Sequence, residues 1–178
     1  MNGFENVSGA DNQQERLKVE INPWYISGFV DGEGSFHVAF ARRPDLPKGW
    51  SIIPEFHISQ DISRSNVLQE IKEYFTCGRI QENNSNSPDK TLVFIVRNRK
   101  DLINNILPFF EAYPLRSHKQ KDFIIFQEIV RLMDLEKHLT NTGFNNIVKK
   151  AFQMNGNGKY RKFTMDDILL TESSETTC

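Results

Sequence analysis

Two cysteines in 178 residues, Cys77 and Cys178, are too few for a disulfide framework, and neither stands in a cluster with zinc-ligand spacing. His118 and His138 form no metal-ligand pattern with them, so zinc is not expected. A reducing, intracellular compartment is expected, either an organelle or a prokaryotic cytoplasm. No uninterrupted apolar run reaches membrane length, so no membrane partner is expected. The first twenty residues lack the apolar stretch of a signal peptide. A phosphate-cradling glycine loop is missing, as is any serine–histidine–acid arrangement that sequence alone supports. Charge of either sign is nearly balanced, at a net of −1. The acids gather at the ends, however. Residues 21–165 carry 20 basic and 15 acidic side chains, a balance of +5 that two copies would double. That is the sign needed to meet phosphates.

What is present is concentrated in residues 25–36, Tyr-Ile-Ser-Gly-Phe-Val-Asp-Gly-Glu-Gly-Ser-Phe. Asn22 can cap a helix with its side-chain oxygen, and Pro23 suits the first helical position. Trp24, Ile26, Phe29 and Val30 recur at helical spacing and read as core. Gly32 and Gly34 end the helix, because glycine tolerates the left-handed conformations found there. Asp31 and Glu33 then fall in the last turn. Here free carbonyls point outward, and the helix dipole disfavours an acid by roughly 0.3–1 kcal/mol. A hard cation such as Mg2+, which prefers carboxylate and carbonyl oxygens, would reverse that cost. Acids at a helix end are by default a solvated turn. The two glycines argue for more. Each costs about 1 kcal/mol against alanine inside a helix, and close approach of another helix backbone is the usual reason. The spacing of Gly28 and Gly32 suits a crossing with a second copy of the same helix, which would set two acidic ends side by side.

The remaining pattern predicts one domain over 21–170, between a polar arm at 1–20 and a polar tail at 171–178. Ser35–Arg43 and Ser51–Gln60 alternate as strands, with Pro54 marking the second as an edge or a bulge. Ser63 caps a helix to about Phe75. Gly78–Asn83 and Thr91–Arg97 are two more strands, joined by the turn-rich run from Asn83 to Pro88. A helix over Asp101–Tyr113 stops before Pro114, and Ser117 caps a long one to about His138. Thr140 or Thr142 begins another, ending near Met154 before Asn155-Gly-Asn-Gly158. The basic run Lys159–Lys162 and a short helix at Met165–Leu170 follow. This order gives an α+β fold, a four-stranded antiparallel sheet with helices on one face and extra helices at the C-terminal end. Phe36, Val38, Phe40, Phe56, Ile58 and Ile80 share the covered face. The open face carries Ser35, His37, Arg43, Ser51, Glu55, His57, Ser59, Arg79, Gln81 and Asn83. These polar side chains suit the base edges of duplex DNA in a major groove that admits a β-ribbon. Their ordinary alternative is a solvated sheet face.

The stretch Ile26–Gly34 resembles the nine-residue signature of the LAGLIDADG homing endonucleases, and it occurs once. The αββαββα order, Pro54-Glu-Phe-His-Ile-Ser-Gln60, Thr76-Cys-Gly-Arg-Ile80 and Ser117-His-Lys-Gln-Lys121 extend the resemblance over residues 22–137. The resemblance implies a metal-binding acid at Glu33, in place of the commoner aspartate, and a metal-binding carbonyl at Gly32. It also implies active-site roles for Gln60, Lys119 and Arg64. Gln60 carries the inward parity, so the strand is expected to end or bulge before it. Ser27, Gly28, Asp31 and Gly32 would form a homodimer interface. The implied activity is an intron-encoded homing endonuclease. It would hydrolyse both strands of a long pseudo-palindromic DNA site with Mg2+, or with Mn2+ or Ca2+ in its place. The alternative on the same fold is an RNA maturase binding intron RNA to assist group I splicing, and a non-catalytic DNA-binding regulator is a further rival.

Overall fold

The side-chain oxygen of Asn22 accepts the Trp24 N–H at 2.8 Å, Pro23 takes the first helical position, and α1 (Pro23–Glu33) follows as the sequence predicts. The computed structural model describes residues 20–83, 90–156 and 161–169. The N-terminal arm up to residue 19, most of the turn after Asn83, the start of the basic run and the tail lie outside the described residues. β1 (Gly34–Arg42), β2 (Trp50–Asp61), α2 (Asn66–Phe75), β3 (Arg79–Glu82) and β4 (Thr91–Val96) complete the predicted αββαββ order. A helical stretch then runs as α3 (Arg99–Asp101), a π-helical segment Leu102–Ile106 and α4 (Leu107–Ala112). The Leu107 N–H bonds the Leu102 carbonyl, and Pro108, which has no N–H, comes next. α5 (Lys119–Asp134), α6 (Asn141–Ala151) and α7 (Met165–Leu169) close the chain.

The four strands form one antiparallel sheet in the order β1-β2-β4-β3. Phe36 of β1 is the centre of the covered face. It stacks on Phe56 of β2 at 5.1 Å and meets Phe110, Phe123 and Phe126 of α4 and α5 at 5.2–5.3 Å. Val38, Ile58 and Phe94 are buried with it, while Phe40 and Ile80 are half-buried at the rim. The outer edge of β1 is sealed from the far end of the chain. Asn155 Nδ2 donates to the Phe36 carbonyl at 3.0 Å, and the Arg161 guanidinium donates to the carbonyls of Val38 and Ala151.

Several expectations are corrected. Pro54 is not in a bulge, and its edge character is only local, on the side where β4 has already ended. It pairs in register with Val38 in a central strand. Because the Val38 carbonyl faces outward to Arg161, this pair exchanges no hydrogen bonds, and the proline nitrogen faces the β4 side. There the ladder ends at Val96, opposite Phe56, so no bond is lost. The cap before α2 is Asp61, which accepts the Ser63 N–H over a 3-10 turn Ile62–Arg64. Gly34 is extended at φ −88°, and its requirement is space. A Cβ would lie 2.6 Å from Val30 Cγ1 and 2.9 Å from the Val30 carbonyl oxygen. Gly78 does need its left-handed φ of +75°, and a Cβ there would strike the Phe94 ring at 2.7 Å. Trp24 is not core. It is 50% exposed, beside Tyr25 at 53%. The long helix ends at Asp134 rather than His138, and Thr140 caps the next by accepting from Gly143 N–H at 3.1 Å.

Fully buried Phe56 makes ring contacts with Phe36, Phe75, Phe94 and Phe110. Phe56→Ala should therefore cost about 3–5 kcal/mol in denaturant unfolding. Leu135→Ala, at a position 67% exposed, should stay within about 0.5 kcal/mol.

Candidate active site and open sheet face

The end of α1 and the start of α5 are tied together by two opposite charges. The Lys119 ammonium donates to the Gly32 carbonyl at 2.9 Å and to the Val30 carbonyl at 3.1 Å. It thereby covers the outward carbonyls that a helix C-terminus leaves free. Burial pushes the Lys119 amine down, and the nearby carboxylates of Asp31 and Glu33 partly restore it. In the other direction, the Asp31 carboxylate accepts the backbone N–H groups of Arg116 at 2.7 Å and Ser117 at 3.2 Å. Burial opposes ionisation of Asp31, but those hydrogen bonds and the charge of Lys119 prevail and hold it below its ordinary 3.8. Ser117 Oγ also accepts the Lys119 N–H at 3.1 Å, although the cap position of α5 is His118, which makes no side-chain cap bond.

Glu33 is exposed at the last position of α1. Gly34 pairs with Ile58, so Gln60 stands two residues past the start of β1, beside the end of α1. The strand neither ends nor bulges before it. Gln60 continues the ladder opposite Leu92, and its Oε1 accepts the Asp61 N–H at 2.9 Å. Arg64 is exposed on the 3-10 turn that follows. A cavity of about 240 Å³ opens beside Lys119, lined by Ser35, His118, Asp122 and Asn155 among others.

Among the described residues, the outer face of α1 is bare at its two glycines. A Cβ on Gly28 or Gly32 would meet nothing within 4 Å among the described residues. Ser27 is corrected here. It is 3% exposed and donates to the Tyr113 carbonyl at 2.6 Å, so it faces the interior of its own chain. Asp31 is likewise engaged within the chain.

On the open sheet face the predicted residues fall into rows. Ser35, His57, Ile95 and Arg79 lie side by side across four strands, as do Ser59, Val93 and Gln81 across three. Ser51 pairs with Ala41. Arg79 Nε donates to Gln81 Oε1 at 2.9 Å. Arg43 and Asn83 lie just past the ends of β1 and β3, and Arg43 forks onto Asp45 at 2.7 and 2.8 Å. Glu55 is 6% exposed, bound by Arg97 and, at 3.2 Å, by His57 Nδ1. Burial opposes its ionisation, yet the bonds from His57 and Arg97 and the charge of His37 hold its pKa at about 2. Glu55 is thus committed to its neighbours. Sequence reasoning passed over Arg97, Asp122, Asn155 and Arg161, whose partners lie 33 to 123 residues away in the chain except for the Arg161 bond to Ala151. It also passed over Val93 and Ile95, which make the middle of this face apolar and buried. Continued alternation along Thr91–Val96 was the available signal for the last two.

Residues 26–130 match the model of the LAGLIDADG endonuclease family. The chain is 37% identical over 140 residues to the "uncharacterized 50.9 kDa protein in ND4 intron 1" of Podospora anserina. That match takes in 78% of this chain and only 30% of the relative's length. The fold is similar to the crystal structure of the homing endonuclease I-TnaI, with a TM-score of 0.74 and 31% identity, over 86% of this chain and 98% of that one. It is also similar to the I-SmaMI LAGLIDADG homing endonuclease bound to cleaved DNA, with a TM-score of 0.71 and 31% identity, over 76% of this chain and 44% of that one.

The Asp31 clamp carries a pH signature. With its folded pKa below the unfolded value of about 3.9, its contribution is complete above that value and disappears as pH falls through the folded one. Asp31→Asn should lower the unfolding midpoint at pH 7, and the gap from wild type should narrow steadily below about pH 4.

Proposed function

Because the chain belongs to the LAGLIDADG endonuclease family, we propose that it is a site-specific homing endonuclease that makes a double-strand break in a long duplex DNA site. The observation that carries this reading is the cation seat at the end of α1. The Glu33 carboxylate and the Gly32 carbonyl are hard oxygen donors at the negative end of a helix dipole, and an ammonium already rests on that carbonyl. Such donors suit Mg2+, Mn2+ or Ca2+. When bound, a divalent ion supplies Lewis-acid activation of water and charge stabilisation at a phosphodiester. Lys119 places positive charge beside the reacting phosphate, and Gln60 offers an amide to orient water at the same end. Arg64 extends the positive rim. No covalent enzyme intermediate is needed.

The second strand requires a second acid. One unit of this size corresponds to 98% of the I-TnaI chain but 44% of I-SmaMI. That supports a complete enzyme built from two such units, here two copies of this chain. The bare Gly28–Gly32 stripe between exposed Trp24 and Tyr25 is the surface for that crossing. Small residues let helix backbones approach, and burial of two aromatic side chains per copy drives the association. A two-fold dimer reads a pseudo-palindromic site. The open sheet face reads its bases through Ser35, His57, Ser59, Arg79 and Gln81. The intron setting of the Podospora relative supports an intron origin.

Cleavage of a randomised duplex library with and without Mg2+ tests the reading. Wild-type protein should cut a defined subset only with the metal. Glu33→Gln should abolish cutting while binding persists. Cutting by Glu33→Gln at the wild-type rate would remove Glu33 from the chemistry. Acceleration of intron splicing without any DNA cleavage would favour the maturase instead. In the same assay, Arg79→Ala and Gln81→Ala should relax preference at one or two base pairs, each by about 1–3 kcal/mol. Gly28→Leu should convert the dimer to monomer in sedimentation.

A further inference from the structure

The β1–β2 register sets His37 directly opposite Glu55 and places His57 two residues along the same face. Their side chains converge. Glu55 Oε1 lies 3.2 Å from His57 Nδ1 and 3.9 Å from His37 Nδ1, and the three donor atoms all fall within 4.8 Å of one another. The imidazole ring centroids are 5.5 Å apart. The ordinary explanation is a buried carboxylate neutralised by Arg97 and hydrogen-bonded to one histidine. That explanation leaves a remainder. His37 Nδ1 is buried and has no hydrogen-bond partner among the described residues, although a carboxylate stands beside it. A buried unpaired nitrogen costs about 1–3 kcal/mol and calls for an explanation.

We propose that His37, Glu55 and His57 bind a transition-metal cation, zinc before others, at a site separate from the oxygen-lined end of α1. Two imidazole nitrogens and a carboxylate oxygen are a zinc set, and they leave a fourth position open. Ligand atoms around tetrahedral zinc lie about 3.3 Å apart, as follows from metal–ligand distances of 2.0–2.2 Å. The 3.2 Å separation already meets that value, and the 3.9 Å separation would have to close by about 0.6 Å. Arg97 holds the second oxygen of Glu55, leaving the first turned toward the histidines, the orienting role that an outer-shell group plays at a metal site. The cation would satisfy His37 Nδ1, while His57 shifts its proton from Nδ1 to Nε2. Nitrogen ligands favour zinc, copper or nickel over magnesium, so the two metal sites differ in kind. No sequence spacing announces the site, because strand pairing assembles it from residues 18 and 20 positions apart. The proposal rests on the geometry of one protomer and stands whether or not the protein cuts DNA.

Calorimetric titration of the metal-free protein with zinc chloride tests it, alongside thermal unfolding in zinc and in magnesium. One zinc per chain should bind and raise the unfolding midpoint, with no rise at this site from magnesium. Glu33→Gln should bind zinc as wild type does. His37→Gln and His57→Gln should each weaken zinc binding at least tenfold, and cobalt should show the intense visible absorption of a four-coordinate site only when both histidines are present. His37 is half-exposed, so His37→Gln should unfold near wild type without metal and serves as the folded control. No zinc binding by the wild type, or equal binding by His37→Gln and His57→Gln, would overturn the site.

Discussion

One ammonium group holds the two halves of the site together. Lys119, at the start of α5, rests on the Val30 and Gly32 carbonyls at the end of α1. Beside it Asp31, from α1, holds the two backbone N–H groups just before α5. Each charge satisfies backbone groups that a helix end or a loop would otherwise leave to solvent. The consequences propagate. With α1 fixed, Gly34 must pack against Val30 without a Cβ, and β1 begins at once. Glu33 is left outside the clamp, exposed beside two cation-seeking carbonyls. In the proposed reading, Glu33 and the Gly32 carbonyl would hold a divalent ion there, at a seat where the Lys119 ammonium already rests.

The sheet behind this clamp is built with two unlike faces. Phe36 and Phe56 anchor one face under α4 and α5 through a cluster of ring contacts, each worth about 0.5–1.5 kcal/mol beyond its buried area. The other face has an apolar middle, Val93 and Ile95, flanked by polar side chains and by Glu55 with its three basic neighbours. Asn155 and Arg161 finish the structure by bonding outward carbonyls of β1, which removes an exposed edge open to another chain.

Much of this was legible in the residues. Asn22-Pro23 announced α1, alternation announced β1 and β2, and Thr140 or Thr142 announced α6, because caps and periodicity are local chemistry. What was not legible depends on distant partners. Pro54 sits in a central strand only because β4 stops two residues short of it. Trp24 reads as core together with Ile26 in the sequence, yet two residues on a helix lie about 200° apart, and Trp24 is exposed on the opposite side. Ser27 points inward for want of nothing but the Tyr113 carbonyl. Glu33, Gly32 and Lys119 were named from the chain, whereas the Lys119–Gly32 contact and the His37–Glu55–His57 cluster required strand register and helix placement.

The central claim is that the end of α1 is a divalent-cation seat, shared between two copies over DNA. Anomalous diffraction from crystals of the protein with a duplex selected from the cleaved library, grown with Mn2+, addresses it most directly. The account predicts an anomalous peak at Glu33 and the Gly32 carbonyl of each copy, with the two α1 helices crossed at Gly28. Peaks found only elsewhere, or α1 helices that do not touch, would contradict it.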